Sequence, residues 1–97
     1  MFDPEEQRDE GPLIVMEEWY VYILKCRDEK LYVGIAKDVS KRVALHNKGL
    51  ACRFTKYRRP VELLFSEKQN NYYQARLREK EIKGFSRDKK SKLIREM

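Results

Sequence analysis

Four side chains with useful chemistry lie close together near the start of the sequence: Tyr22, Tyr32, Arg42 and His46. A histidine, with an ordinary pKa of about 6.5, is well suited to move a proton at neutral pH. An arginine presents a planar cation that pairs with two anionic oxygens. A tyrosine hydroxyl, with an ordinary pKa of about 10, is a poor base unless a metal or a cation lowers that pKa. Together these groups could bind an anion and transfer a proton.

A fifth group, the carboxylate of Glu79, falls near an apolar stripe on a predicted helix. The stripe is formed by Tyr72, Ala75 and Ile82. A carboxylate beside such a stripe usually has a charged partner or a metal ion. Two interpretations therefore stay open, namely a metal ligand or a surface ion pair with Lys83 four residues later.

The two tyrosines are expected on a β-hairpin. Residues 19–26 and 31–36 are rich in aromatic and β-branched side chains, and the polar stretch 27–30 separates them. Tyr22 and Tyr32 each lie in the middle of a predicted strand. Taken singly, a tyrosine in this position is more often a half-buried packing residue.

Arg42 and His46 are expected on one face of a helix. Asp38 is a suitable N-cap for a helix from Val39 to about Lys48, and Gly49 is a suitable C-terminal residue. Side chains four residues apart are neighbours on a helix surface. Each also has an ordinary structural explanation, as a solvated charge or as a satisfied local hydrogen bond.

The rest of the chain predicts an α/β (α+β) domain with a small, three-stranded, mainly antiparallel sheet flanked by helices. Residues 50–59 are basic and irregular, and a third strand is expected at 61–66. A helix is expected at 72–83, ended by a glycine, and Ser86 caps a last helix to about residue 96. Residues 18–97 therefore form one domain, and residues 1–17 are expected to be an acidic, disordered tail.

Charge is distributed unevenly along the chain. The net charge is +6, yet residues 1–18 contain seven acids and one arginine, so the remainder is far more basic than the total suggests. Such a surplus attracts polyanions, above all nucleic acid, although a lysine-rich soluble surface explains it equally well. Six cations are the candidate phosphate contacts: Lys37, Lys41, Arg53, Lys56, Arg58 and Arg59.

Several classes of protein are disfavoured. The sequence contains no apolar run long enough to cross a bilayer and no signal-peptide pattern, so a soluble cytoplasmic protein is expected. Cys26 and Cys52 then remain reduced. Two cysteines and one histidine at these spacings do not make a zinc site, and small buried thiols are expected.

The order and spacing of these residues resemble the GIY-YIG nuclease superfamily. The matching segments are Tyr20-Val21-Tyr22, Tyr32-Val33-Gly34, Arg42, His46 and Ala75-x-x-x-Glu79. The likeness is strong to small stand-alone bacterial members of unassigned function. It is more distant to the N-terminal nuclease domain of the bacterial excinuclease C subunit and to phage homing endonucleases. It covers residues 18–94, nearly all of the foldable chain.

The resemblance implies metal-dependent hydrolysis of a phosphodiester. Such a reaction needs a base for water, positive charge on the phosphate and stabilisation of the leaving oxygen. By likeness, Glu79 is the single protein ligand of Mg²⁺ or Mn²⁺, and Arg42 clamps the scissile phosphate. Tyr22 takes part directly, while His46 and Tyr32 bind the phosphate or relay the proton; the identity of the base stays open.

The glycine of the second segment, Gly34, is expected to have a structural role. It marks either a bulge in the strand or a close approach of another group to the backbone.

Some positions depart from the family pattern. Tyr20 replaces a glycine, and Ile35 stands where the excinuclease domain has a lysine. His46 stands where that domain has a tyrosine, and no asparagine follows Asn71. Two alternatives to an enzyme therefore stay open, a nucleic-acid-binding module without turnover and a protein whose basic surface docks an acidic partner. DNA is expected more than RNA, with a protein partner available for targeting.

Overall fold

The computed structural model describes residues 18–96. The acidic segment 1–17, expected to be a disordered tail, lies outside the described residues. Within the described part the strands are β1 (Trp19–Lys25), β2 (Leu31–Ala36) and β3 (Glu62–Gln69), and the helices are α1 (Val39–Asn47), α2 (Arg53–Lys56), α3 (Tyr72–Lys83) and α4 (Arg87–Arg95). The strands form one antiparallel sheet in the order β2-β1-β3. The predicted α+β class and the three-stranded sheet are confirmed.

Strand alternation separates the core into two layers, because successive side chains of a strand point to opposite faces. On one face lie the buried residues Val21, Ile23, Val33, Phe65, Ala75 and Ile82, with α4 packed against them through Leu93 and Ile94. On the other face lie Tyr22, Leu24, Cys26, Ala36 and Val61, covered by Val39 and Val43 of α1. Helices therefore cover both faces of the sheet, and Tyr22 faces α1.

Side-chain caps, of which Asp38 was predicted and Asn71 was not, fix where α1 and α3 begin. Asp38 accepts a hydrogen bond from the Lys41 amide at 3.0 Å, and Asn71 accepts one from the Gln74 amide at 2.8 Å. Gly49 follows α1 with φ +78°, a left-handed conformation that favours glycine. These caps confirm the starts predicted for α1 and α3.

Two predicted elements needed correction. The segment 50–59 is not wholly irregular, because Arg53–Lys56 form one helical turn, α2. Strand β3 runs to Gln69 instead of ending at 66, because β1 offers pairing partners along its whole length. The polar residues at the end of β3 are held by ion pairs: Lys68 with Glu18, and Glu67 with Arg78.

Both cysteines are free thiols, and Cys26 is buried as expected. No helix among residues 18–96 has the length and apolar character required to cross a membrane.

Candidate active site

Gly34 makes room for the Tyr22 side chain. The two residues are opposite one another in the β1–β2 ladder, and Tyr22 is almost completely buried. A Cβ atom on residue 34 would lie 2.7 Å from the Tyr22 hydroxyl oxygen and 2.8 Å from its ring carbon Cζ. Of the two explanations for this glycine, the structure supports a close approach, and the approaching group is a side chain.

The Tyr22 hydroxyl is the first member of a buried hydrogen-bonded chain. Its oxygen lies 2.8 Å from Nε2 of His46, and Nδ1 of His46 lies 2.6 Å from the hydroxyl of Thr55. His46 and Thr55 are 1% and 0% exposed. Both imidazole nitrogens are therefore occupied, and α1 and α2 are joined to the central strand through one ring.

Burial sets the protonation states of this chain. It raises the pKa of Tyr22 to about 12, although the Arg42 cation close to the hydroxyl opposes the rise. Burial, with a smaller contribution from Arg42, lowers the pKa of His46 to about 4. At neutral pH the phenol keeps its proton and the imidazole is neutral. A neutral imidazole carries one N–H, so one ring nitrogen donates a hydrogen bond and the other accepts one.

Tyr32 packs against the same imidazole from the neighbouring strand. Its ring centroid lies 5.1 Å from that of His46 and 5.8 Å from that of Phe54. Burial raises the pKa of Tyr32, and an interaction with the Cys52 thiol raises it further. Tyr32 is thus held in place by rings on two sides, one from α1 and one from α2.

Cys52 lies between Tyr32 and Thr55. Its sulfur is 3.5 Å from the Thr55 hydroxyl. Burial raises the pKa of this thiol, but hydrogen bonding with Thr55 and Tyr32 lowers it by more, so the net shift is downward. The expectation of a small buried thiol is met fully by Cys26, while Cys52 is only partly buried.

Glu79 is 7% exposed and paired with two cations. One carboxylate oxygen lies 3.2 Å from Arg76, and the other lies 3.2 Å from Lys83. Its negative charge also contributes to the raised pKa values of Tyr22 and Tyr32, so the carboxylate is within electrostatic range of both phenols. The ion pair with Lys83 that the sequence suggested is therefore present, beside the candidate site.

Glu79 is the buried carboxylate that could hold a divalent metal ion if its two ion pairs opened. Among residues 18–96, no group of three or more His, Cys, Asp or Glu side chains could hold a metal. Mg²⁺ commonly binds through one or two carboxylates and keeps waters and substrate phosphate oxygens as its other ligands. A single buried carboxylate fits that mode of binding, and it does not fit a site built wholly by the protein.

The six candidate phosphate contacts fall into different environments. Arg58 is bound to Asp28 at 3.1 Å and to the Phe54 carbonyl at 2.9 Å. Arg59 donates to the Lys56 carbonyl at 2.8 Å. These two arginines brace the loop after α2. The remaining four cations are exposed at the surface: Lys37, Lys41, Arg53 and Lys56.

Sequence reasoning missed two residues of this site, Thr55 and Arg76. Thr55 lies in a segment without periodicity, and its partnership with His46 arises only when α2 folds against α1. Arg76 stands three residues before Glu79 on a helix, which is a spacing that permits an ion pair. That spacing could have identified Arg76 as a partner of Glu79 from the sequence.

Comparisons with known proteins show the family to which the chain belongs. Residues 18–92 match the family model of the GIY-YIG catalytic domain. The chain is 51% identical over 81 residues to a UPF0213 protein of Staphylococcus saprophyticus and 48% identical to one of Staphylococcus epidermidis, with 84% of this chain and 99% of each relative covered. A solution NMR structure of a UPF0213 protein from Bacillus halodurans superimposes with a TM-score of 0.52 at 35% identity, covering 79% of this chain and 82% of that one. The chain therefore belongs to the GIY-YIG family of nuclease domains and, within it, to the small stand-alone UPF0213 group.

Proposed function

We propose that this protein is a metal-dependent nuclease that hydrolyses phosphodiester bonds in DNA. The observation that carries the proposal is the buried chain from Tyr22 through His46 to Thr55, with Arg42 close to the Tyr22 hydroxyl. Family membership supplies the reaction class. We expect it to select a DNA structure or to rely on a protein partner for targeting.

Arg42 is the group that would bind the scissile phosphate. Its guanidinium influences the pKa values of both Tyr22 and His46, so it lies near the two groups that handle the proton. A planar cation engages two phosphate oxygens and stabilises the charge that develops on them. Arg42 is only partly exposed, which strengthens that interaction relative to one in bulk water.

Tyr22 and His46 would activate the attacking water together. With a pKa near 12, Tyr22 is an unfavourable phenolate, so the hydroxyl gives its proton to Nε2 of His46 as it takes one from water. The pKa of about 4 leaves the imidazole neutral at pH 7, so a ring nitrogen is free to accept the proton, but the same low pKa makes the ring a weak base before substrate binds. A bound phosphate anion raises that pKa, since nearby negative charge favours the imidazolium. Thr55 holds Nδ1 throughout.

Glu79 would hold the divalent ion, Mg²⁺ or Mn²⁺. The ion supplies positive charge for the leaving oxygen. Arg76 and Lys83, which hold one carboxylate oxygen each, are both exposed and can turn aside when that ion binds.

The test is a cleavage assay on labelled flap, nicked, single-stranded and duplex DNA and on RNA, in Mg²⁺, Mn²⁺ or EDTA. We expect metal-dependent cutting that falls at least about 100-fold in Tyr22→Phe and Glu79→Gln. Tyr20→Phe and Glu81→Gln remove the same groups from neighbouring positions and serve as controls. Cutting that persists in both site variants would contradict the proposal.

A nucleic-acid-binding module without turnover is the second candidate. The observation that favours it is the double ion pair of Glu79, which neutralises the one carboxylate offered to a metal. Binding without cutting, unchanged in Glu79→Gln, would establish this alternative.

A further inference from the structure

A surface pocket of about 450 Å³ lies beside the candidate active site, at the loop that follows α2. We call it the cation pocket. Its lining residues are Arg27, Asn47, Lys56, Tyr57, Arg59 and Pro60. Asn47 directly follows His46 in the chain, and Lys56 directly follows Thr55. Two residues of the pocket are therefore immediate chain neighbours of the two buried residues that form the hydrogen bond at Nδ1.

Positive charge dominates this pocket. Three of its six residues are cations, and none of the six is acidic. In the described part of the chain, no carboxylate forms an ion pair with Arg27, Lys56 or Arg59. Asp28, which directly follows Arg27 in the chain, is paired with Arg58. An anion entering the pocket would therefore meet three charges that no carboxylate of residues 18–96 neutralises through an ion pair.

Arg59 is fixed in its position before any ligand arrives. Its Nε donates to the Lys56 carbonyl at 2.8 Å, and its guanidinium lies against Gly49, where a Cβ atom would be 3.0 Å from it. A pre-positioned guanidinium loses little conformational entropy when it binds phosphate. The Asn47 amide is already occupied by the backbone of Val61, so the cations are left to bind the ligand.

The pocket also contains an exposed aromatic ring. Tyr57 is 68% exposed, and the Lys56 ammonium lies 5.5 Å from its ring centroid. A second pocket of about 410 Å³ adjoins the first, shares Lys56 and Tyr57, and presents Leu50, which is 70% exposed. Cations beside an exposed ring are the combination that binds a nucleotide, with phosphate on the charges and a base stacked on the ring.

We propose that the cation pocket binds one nucleotide of an unpaired DNA strand. The phosphate contacts Arg27, Lys56 and Arg59, and the base stacks on Tyr57. Phosphate contacts alone serve duplex and single strands equally, because both present the same backbone. The Tyr57 ring distinguishes single strands from duplex DNA, because a base inside a duplex has both faces covered by its neighbours and cannot stack on the ring. This inference rests on the proposed function for the identity of the polymer, and it adds a preference for substrates that contain a single-stranded segment.

Fluorescence anisotropy in EDTA tests this site without any metal-dependent cleavage. The probes are a labelled DNA single strand of about 12 nucleotides and a hairpin duplex of similar length. We expect Tyr57→Leu to weaken single-strand binding about fivefold or more and to leave duplex binding nearly unchanged. Tyr57→Trp keeps a ring and should retain the affinity.

A charge-matched pair of variants tests the phosphate contacts. Lys56→Ala should weaken the binding of both probes more than Lys92→Ala does. The Lys92 variant removes the same charge from an exposed position on α4. Equal effects of these two variants would overturn the phosphate site. Equal loss of single-strand and duplex binding in Tyr57→Leu would overturn the stacking site.

Failure of this inference is distinguishable from failure of the proposed function. If the wild type cuts no nucleic acid but the Tyr57 and Lys56 variants behave as expected, the pocket stands and the nuclease proposal fails. If the wild type cuts and these variants bind both probes like the wild type, the nuclease proposal stands and the pocket fails.

Discussion

His46 is the single histidine of the chain, and its burial makes it a direct reporter of the candidate site. Its pKa is lowered to about 4, so the native state resists protonation while the unfolded state accepts a proton near pH 6.5. The unfolded state therefore binds more protons between these values, and the free energy of unfolding falls as the pH falls from about 6.5 toward 4. We expect a loss of roughly 2 to 3 kcal/mol over that interval.

NMR titration of the imidazole and urea unfolding at pH 7 and 4.5 measure these two effects. Carboxylates also titrate in this range, so the comparison is with His46→Gln, which lacks only the imidazole contribution. A histidine pKa near 6.5, or identical pH dependence in the variant, would contradict the expectation.

Thr55 acts through His46, which makes it a positioning residue. Thr55→Val preserves shape but leaves Nδ1 of His46 buried without a partner, which costs about 1 to 3 kcal/mol. We expect cleavage to fall about tenfold or more and the ¹⁵N shifts of the imidazole to report a changed tautomer. Thr55→Ser keeps the hydroxyl and should restore both. Unaltered imidazole shifts in Thr55→Val would show that the threonine only packs.

Gly34 is a steric requirement of the Tyr22 position. In Gly34→Ala the new Cβ must displace the phenol, because it would lie 2.7 Å from the hydroxyl oxygen. Overpacking of this kind costs about 1 to 3 kcal/mol, and the displaced phenol should abolish most of the activity. Gly84→Ala is the matched control, since its Cβ would meet nothing nearer than 3.4 Å. Urea unfolding and the cleavage assay would compare the stability and the activity of the two variants. Equal stability and equal activity in Gly34→Ala and Gly84→Ala would refute the steric role of Gly34.

At the scale of single residues, the sequence singled out most members of the candidate site but not the hydrogen bonds that join them. Family spacing singled out Tyr22, Arg42 and Glu79, whose convergence depends on regular elements with readable patterns. It could not reveal the partnership of Thr55 with His46, because that contact depends on how an aperiodic segment folds back. The sequence also offered no reason to expect a lowered pKa for His46, because the burial that lowers it depends on the tertiary fold.

At the scale of elements, Asn47 joins the end of α1 to the start of β3. Its side chain accepts from the Val61 amide at 2.7 Å and donates to the Val61 carbonyl at 3.2 Å. We expect Asn47→Ala to destabilise the fold by about 1 to 3 kcal/mol, because both backbone groups lose their partner. Asn47→Asp keeps the acceptor but loses the donor, so its stability should lie between those of the wild type and Asn47→Ala. Urea unfolding beside the exposed control Asn70→Ala is the measurement, and equal stability of Asn47→Ala and Asn70→Ala would refute this role.

Elements with strong local signals were predictable in full. The helix predicted at 72–83 is observed with those bounds, since its cap at Asn71 and its periodicity agree. Helix α2 was not predictable, because a four-residue helix has too short a pattern and too few internal hydrogen bonds to be specified by its own sequence. The length of β3 depended on its partner strand, which local patterns do not contain.

At the scale of the whole molecule, the N-terminal segment and the domain that follows it carry opposite net charges. Residues 1–16 contain five carboxylates and one arginine, and the chain that follows carries the positive surplus. We expect deletion of residues 1–16 to raise the affinity for nucleic acid a few-fold at low salt, because the segment competes with phosphate for the same cations. The gain should shrink as salt is added.

Anisotropy titrations at several salt concentrations would measure this effect. A full-length variant with those five acids changed to Asn and Gln separates charge from length, and it should match the deletion. Unchanged affinity in the deletion would eliminate the competition.

The hydrogen-bonded chain from Tyr22 to Thr55 joins two elements that we expect to differ in local stability. Tyr22 lies on the central strand, paired on both sides, whereas Thr55 lies on a single helical turn. Opening of such a turn requires far less free energy than global unfolding. The imidazole then loses its Thr55 partner while the sheet stays intact, and solvent reaches the ring. We therefore expect warming to disrupt the candidate site reversibly, through this turn, at temperatures below the melting point of the protein.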